Sequence, residues 1–340
     1  MSSGPAPLRV GVPLSLTGRY ARFGRQAATG VRVWSQWDGH ADVVIEDDGS
    51  DRERAASIVT DLIGKVDLLL GPYSTGLTRA AARVACESHH LLWNHGGSGD
   101  DAEGLCPGHV ISILTPTSKY ATPLLRHLAA LGHRDPVWIL ASKGRFSTQV
   151  QKGAVALADQ LSIPTVSVPS LEHLNSGALP EKWNLFCCGN FEQDVEAINR
   201  IVRFGDRRPI VASAVAAGVS DFRDAVEEPD GVFGVAQWFP RQGVPHALGM
   251  SEEAFVTAYR NESDRTPDYP AVQAVAASVI ASHCARMTDS TEVKTLWDYA
   301  SHLDTSTLYG NFRIDPKTGV QVKHEMALVR WQGSTLTLQK

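Results

Sequence analysis

The 340-residue chain has no run of about 20 apolar residues, so no segment of it reads as a membrane-spanning helix. It has no basic surplus either: 32 Lys and Arg stand against 37 Asp and Glu, a formal net charge of −5. That balance argues against nucleic acid and anionic membrane surfaces as partners. Cysteine is sparse, at Cys86, Cys106, Cys187, Cys188 and Cys284. An odd set without paired spacing argues against a secreted disulfide framework. Neighbouring Cys187 and Cys188 point to opposite faces of a strand and are not expected to pair with each other. The cysteines read mostly as small buried apolar residues. Low-complexity tracts and long linkers are missing. The first seven residues, Met1-Ser-Ser-Gly-Pro-Ala-Pro7, contain neither a basic nor an apolar stretch. Two locations follow as expectations: an extracytoplasmic one after removal of a leader, or a cytoplasmic one.

What is present is an ordinary globular composition, 43% hydrophobic and 20% charged, which excludes a disordered or collagen-like chain. The length predicts two domains. Strand-like apolar runs alternate with helix-like segments. Leu8–Val12, Asp42–Glu46, Val66–Leu70, Leu91–Trp93 and Val110–Leu114 read as strands, with helices over 24–37, 52–63 and 75–87. The pattern repeats with strands at Val137–Leu140, Thr165–Val168, Trp183–Cys188, Ile210–Ser213 and Val232–Val235, and helices over 148–161 and 193–203. Continuous apolar strands separated by amphipathic helices specify parallel sheets covered on both faces. The fold class is therefore α/β, with two doubly wound Rossmann-like lobes. Three helices then follow without strands between them, over 252–261, 269–286 and 292–302, and are expected to return to the first lobe. The end of the chain, 324–331 and 335–338 around Gly333-Ser334, reads as an antiparallel hairpin.

The motifs of catalysis fail one by one. Gly18 and Gly24 do not make a dinucleotide fingerprint. Gly71-Pro-Tyr-Ser-Thr-Gly76 is followed by Leu77, so a phosphate loop lacks its lysine, and Ser74 lacks the glycine spacing of a nucleophile elbow. Asp47-Asp-Gly-Ser-Asp51 has Arg52 and Ile58 where a calcium loop needs Gly and Glu, and reads as a capped helix start. Cys86, His89 and His90 have no second ligand pair for zinc and read as an ordinary helix end. No enzyme activity, metal or cofactor is expected.

Polar loops remain at the C-terminal ends of the strands, where open parallel sheets bind ligands. They are Leu16–Tyr20, Pro72–Thr75, Asn94–Ser98, Lys143–Phe146, Asn190–Glu192, Ser213-Ala214 and Gln237–Phe239. Hydroxyls beside free N–H groups at a helix start suit a carboxylate or amide oxygen. Gly96-Gly97 lets a ligand approach the backbone.

In this order, the segments Gly11-Val-Pro-Leu-Ser-Leu-Thr-Gly-Arg-Tyr-Ala21, Ile45–Asp51, Leu70–Gly76 and Tyr309–Asp315 resemble the type I periplasmic binding proteins. The closest branch is the branched-chain amino acid and amide-binding receptors of ABC transporters, and the resemblance runs from about Leu8 to Trp331. It implies a three-crossing hinge near Thr115-Pro116, Phe239–Arg241 and Asp315-Pro316. The lobes would then be 8–115 plus 242–315 and 116–241 plus 316–340, closing over a ligand held between them. It places a carboxylate-binding hydroxyl at Ser74 or Thr75, further contacts at Gly96 and Ser98, a closing aromatic at Phe146, and another contact at Phe191 or Glu192. Tyr20, Tyr73, His95 and Trp238 complete the candidate ligand-binding set. One departure stands out. Ala214 occupies the position where receptors for α-amino acids carry an acid for the ligand ammonium. Either Glu192 or Asp194 replaces that acid, or the ligand has no ammonium. The function implied is capture of a small polar ligand (amino acid, amide, or aromatic or aliphatic carboxylate) for an ABC permease. The alternative is a cytoplasmic sensor of the amide-regulator type that partners a regulatory protein.

Overall fold

The computed structural model describes residues 6–174, 179–240 and 245–339. The sequence readings of Met1–Pro5 and of Arg241, the last residue of the expected second crossing, lie outside them. The chain divides into two compact units: Met1–Thr115 with Pro240–Glu325, and Pro116–Phe239 with Met326–Lys340.

Unit 1 starts with β1 (Leu8–Leu14), α1 (Ala21–Asp38), β2 (Ala41–Asp47), α2 (Arg52–Leu62), β3 (Leu68–Leu70), α3 (Thr75–Glu87), β4 (Leu92–Asn94) and β5 (Val110–Ser112). The five strands make a parallel sheet in the order β2-β1-β3-β4-β5, with Val10 opposite Val43 on one side and Leu68 on the other. Strands β3, β4 and β5 are buried throughout, which is why they read as unbroken apolar runs. Helix α1 turns Ala27, Val31 and Trp34 inward, and each of the larger two contributes about 1.5–3 kcal/mol by leaving water. Gly39 ends it in the left-handed conformation, at φ 68°.

Unit 2 contains α4 (Thr122–Ala130), β6 (Val137–Leu140), α5 (Arg145–Gln160), β7 (Thr165–Val168), β8 (Asn184–Cys187), α6 (Phe191–Val202), β9 (Val211–Ala214), α7 (Phe222–Ala225) and β10 (Phe233–Ala236). The chain then returns to unit 1 with α8 (Glu252–Ser263), α9 (Tyr269–Thr288), α10 (Val293–His302) and the hairpin β11 (Thr305–Thr307)–β12 (Gly310–Phe312). It closes in unit 2 with β13 (Ala327–Gln332) and β14 (Thr335–Leu338). The second sheet runs β14-β13-β10-β9-β8-β6-β7; β13 and β14 are its antiparallel members.

Helix α9 is buried on nearly every side. It packs on α1, β3 and β4, and a Cβ at Gly30 of α1 would lie 2.6 Å from the Ala271 carbonyl oxygen. The glycine sets how near the two helices come.

Several elements differ from the sequence reading. Helix α4 was not expected; Pro123 in its first turn resembles a turn signal but is favourable there. Helices α5 and α6 start at Arg145 and Phe191, earlier than the periodicity indicates, because Gly144 and Asn190 cap them. The hairpin β11–β12 is also additional. The third passage between units comes after Glu325, not at Asp315-Pro316. Residues 316–325 stay with unit 1 because the Ser112 N–H donates to Gly319 (2.9 Å) and the Gln321 side-chain amide donates to Ile113 (3.0 Å).

All five cysteines are free thiols, and only Cys86 is more than marginally exposed. No helix among the described residues is long and apolar enough to cross a membrane.

Candidate functional site

Strands β1, β3 and β4 are parallel neighbours, so the loops that follow them leave the sheet at the same edge. The loop after β1 is shaped by two adjacent acids. Asp47 accepts from the N–H groups of Leu16 (2.9 Å), Thr17 (3.1 Å) and Gly49 (2.9 Å) and from the Thr17 hydroxyl (2.7 Å). Desolvation alone would raise its pKa, but these donors outweigh it and hold the carboxyl at about 2. Asp48 is buried, accepts from the Ser15 hydroxyl at 2.6 Å, and is pushed up by burial. The Ser50 hydroxyl receives the Tyr20 N–H at 2.9 Å and so fixes Tyr20.

The loop after β3 is strained. Ser74 has φ 86° and ψ 142°, a conformation that L-residues rarely adopt. Its N–H donates to the Gly96 carbonyl at 2.9 Å, and its hydroxyl, at the N-cap of α3, faces the Leu77 N–H at 3.5 Å. A Cβ at Gly96 would stand 2.5 Å from the Pro72 oxygen and from the Tyr73 Cα, so the two loops interlock only with glycine there.

The loop after β4 folds around Asn94. Its amide group donates to Gly97 O (2.8 Å) and to the Ser112 hydroxyl (2.7 Å). Its oxygen accepts from the N–H of Gly97 (2.8 Å) and Gly96 (3.2 Å). The Ser112 hydroxyl donates onward to Glu103, a buried carboxyl raised by desolvation. His95 is fully buried, and neither ring nitrogen has a hydrogen-bond partner. Burial lowers its pKa to about 4, and the neighbouring backbone of His95 and Gly71 only partly offsets this, so the imidazole is neutral at physiological pH. The Thr75 hydroxyl is taken up by the Gly99 N–H at 2.9 Å. Ser98 is half-buried on the same loop.

Aromatic rings line this edge. Tyr73 stacks on Phe23 (4.5 Å, 12°), lies 6.1 Å from the Tyr20 ring, and meets the Tyr269 hydroxyl at 2.5 Å. The structure thus brings Tyr20, Tyr73, Ser74, Thr75, His95, Gly96 and Ser98 to adjoining loops of one unit. Sequence reasoning missed Phe23, Asn94 as the scaffold, Glu103 and Tyr269. Phe23 was within reach, one helical turn beyond Tyr20; the other three carry no local signal.

The four remaining candidates belong to unit 2. Phe146 and Phe191 are in the first turns of α5 and α6, not in loops. Phe146 is half-buried, edge-on to Tyr120 at 5.5 Å. Phe191 packs against the apolar core, and Glu192 is exposed beside it. Trp238 is buried just after β10. Asp194 is enclosed and accepts from the N–H groups of Gly189 (2.6 Å) and Ala216 (3.1 Å). Burial raises its carboxyl to about 7 despite those bonds. Ala214 ends β9 inside the core, and Val215-Ala-Ala-Gly218 after it contains no acid. Among the described residues, no three His, Cys, Asp or Glu side chains converge as a metal site requires.

Residues 7–173, just under half of the chain, match the family model described as periplasmic binding protein. A leucine binding protein from Thermotoga maritima superposes with a TM-score of 0.80 at 13% identity, covering 98% of each chain. The chain has the fold of a type I periplasmic binding protein. Two further solved structures extend the comparison. The branched-chain amino acid transporter substrate binding protein of Streptococcus pneumoniae, in complex with isoleucine, gives a TM-score of 0.76 at 16% identity over 98% of this chain and 99% of its own. A solute binding protein from Rhodopseudomonas palustris, in complex with benzoate, gives 0.75 at 18% identity over 98% and 95%. No curated protein sequence matches significantly.

Proposed function

We propose that this protein is an extracytoplasmic solute-binding receptor that captures a small carboxylate lacking an α-ammonium group and delivers it to an ABC-type permease. The observation that carries this reading is Ser74, held in a strained conformation at the N-cap of the 13-residue helix α3. A helix N-terminus with a hydroxyl at its cap favours an anion. Strain kept at such a point belongs with ligand recognition. Tyr20, Phe23 and Tyr73 offer flat apolar surface beside it.

The finer part of the proposal concerns charge. A buried ammonium needs an acid. The end of β9 has none, and both Asp194 oxygens already serve backbone N–H groups. Glu192 is exposed in the first turn of α6, where its charge suits the helix dipole. Capture is reversible and involves no chemistry. The descriptions of the similar structures as transporter binding proteins favour transport over the sensor reading.

A thermal-shift panel of leucine, isoleucine, benzoate, an aliphatic carboxylate and a short amide tests this. Binding to the folded form alone raises the melting temperature. Carboxylates without an ammonium are expected to give the shift. A shift from the amino acids alone would refute the charge argument, and no shift from any compound would refute the capture reading.

A further inference from the structure

Asn94 and Ser112 stand opposite each other in the parallel β4–β5 ladder, and Glu103 lies in the loop between those strands. Asn94 is 0%, Ser112 1% and Glu103 5% exposed, so none of the three can turn to water for a partner. One end dictates the polarity of their hydrogen bonds. The Asn94 oxygen accepts from the N–H groups of Gly96 and Gly97, and its amide nitrogen donates to the Gly97 carbonyl oxygen at 2.8 Å. A reversed amide would set N–H against N–H and oxygen against oxygen, so the side chain has one orientation. Its other N–H faces the Ser112 oxygen at 2.7 Å, which makes that oxygen the acceptor. The Ser112 hydrogen must then go elsewhere, and the Glu103 carboxyl takes it. The segment carrying Glu103 is itself fixed. The Ala102 N–H donates to the Gly99 oxygen (2.9 Å), the Gly99 N–H donates to the Thr75 hydroxyl (2.9 Å), and Asp101 pairs with Arg79 of α3.

We propose that Glu103 is a positioning residue that, through Ser112 and Asn94, holds the Gly96–Ser98 loop in the form that receives a ligand. The consequence for binding rests on the proposed function; the hold on the loop does not. The role demands an acceptor oxygen and not a charge. Burial raises the Glu103 pKa, and a protonated carboxyl still offers its carbonyl oxygen. An apolar side chain of similar size would leave the Ser112 hydrogen without an acceptor. Turning the Asn94 oxygen toward that hydrogen would free the Gly96 and Gly97 N–H groups.

The test follows amide hydrogen exchange at Gly96 and Gly97 by NMR in the isotope-labelled full chain, without ligand. E103Q keeps the acceptor oxygen and is expected to exchange within about twofold of the wild type. E103L is expected to exchange about tenfold faster at those two amides and to leave the amides of β1 and α9 unchanged. S112A keeps Glu103 and breaks the relay one bond later; it is expected to accelerate the same two amides and decides the matter where E103L does not fold. Calorimetry with benzoate reads the consequence. E103L is expected to bind about tenfold more weakly than the wild type, and E103Q about equally. Wild-type exchange at Gly96 and Gly97 in folded E103L or S112A, acceleration spread evenly over unit 1, or E103Q as fast as E103L would each overturn the proposal. So would equal benzoate affinity in E103L and the wild type. A wild type that binds no benzoate, with exchange as expected, goes against the proposed function and upholds the hold of Glu103 on the loop.

Discussion

The hydroxyls of Tyr73 and Tyr269 meet at 2.5 Å although 196 positions separate them in the sequence. The contact joins the loop after β3 to the first residue of α9. It holds the Tyr73 ring where Phe23 can stack on it. Replacing Tyr269 by Phe keeps the ring and removes the bond. The expected cost is about 1 kcal/mol, read as a lower urea midpoint with an unchanged slope, together with weaker binding of any ligand that uses the Tyr73 face.

Gly96 makes a sharper prediction. An added methyl there would stand 2.5 Å from the Pro72 oxygen and the Tyr73 Cα, and both are backbone. G96A must therefore push the two loops apart, at about 1–3 kcal/mol. Gly104, with nothing within 4 Å of its built Cβ, provides the matched control. Urea unfolding of G96A and G104A should separate clearly. Equal midpoints would show that the loops are not locked.

Asp47 predicts a pH dependence with a definite sign. Its folded pKa of about 2 lies below the ordinary carboxyl value of about 4. Its stabilisation is complete above about pH 4 and is lost as the pH falls through about 2. D47N should lower stability near neutrality by about 1 kcal/mol once solvent screening is allowed for. The gap between D47N and wild type should close in acid. A gap constant from pH 7 to pH 2 would remove the ionised carboxylate from the account of the Tyr20 loop.

The hydroxyls are tested together. S74A/S98A should bind the most stabilising carboxylate of the panel about tenfold to a hundredfold more weakly by calorimetry. Its far-ultraviolet circular dichroism should match the wild type. Unchanged affinity would move the dock to another loop.

Much of this architecture was legible before any coordinates. The alternation of apolar runs with amphipathic helices specified two parallel α/β lobes, because buried parallel strands need unbroken apolar side chains. The Ser74 and Gly96 loops were legible as strand-end loops. Their interlock was not, since the clash that demands glycine at position 96 involves backbone atoms more than 20 residues away. Phe146, Phe191 and Glu192 read as loop residues because Gly144 and Asn190 cap helices earlier than apolar spacing reveals. Glu103 and Asn94 act through a chain of side-chain hydrogen bonds, which leaves no trace in periodicity.

The late position of α9 has a consequence for how the protein is made. Its buried faces fill the space beside α1, β3 and β4, yet it is encoded after all of unit 2. A nascent chain that has emerged only as far as β10 has the first sheet but not the helix that covers it. The N-terminal half must wait on the ribosome, or on whatever holds it, with that apolar surface unsatisfied, until synthesis has passed residue 288.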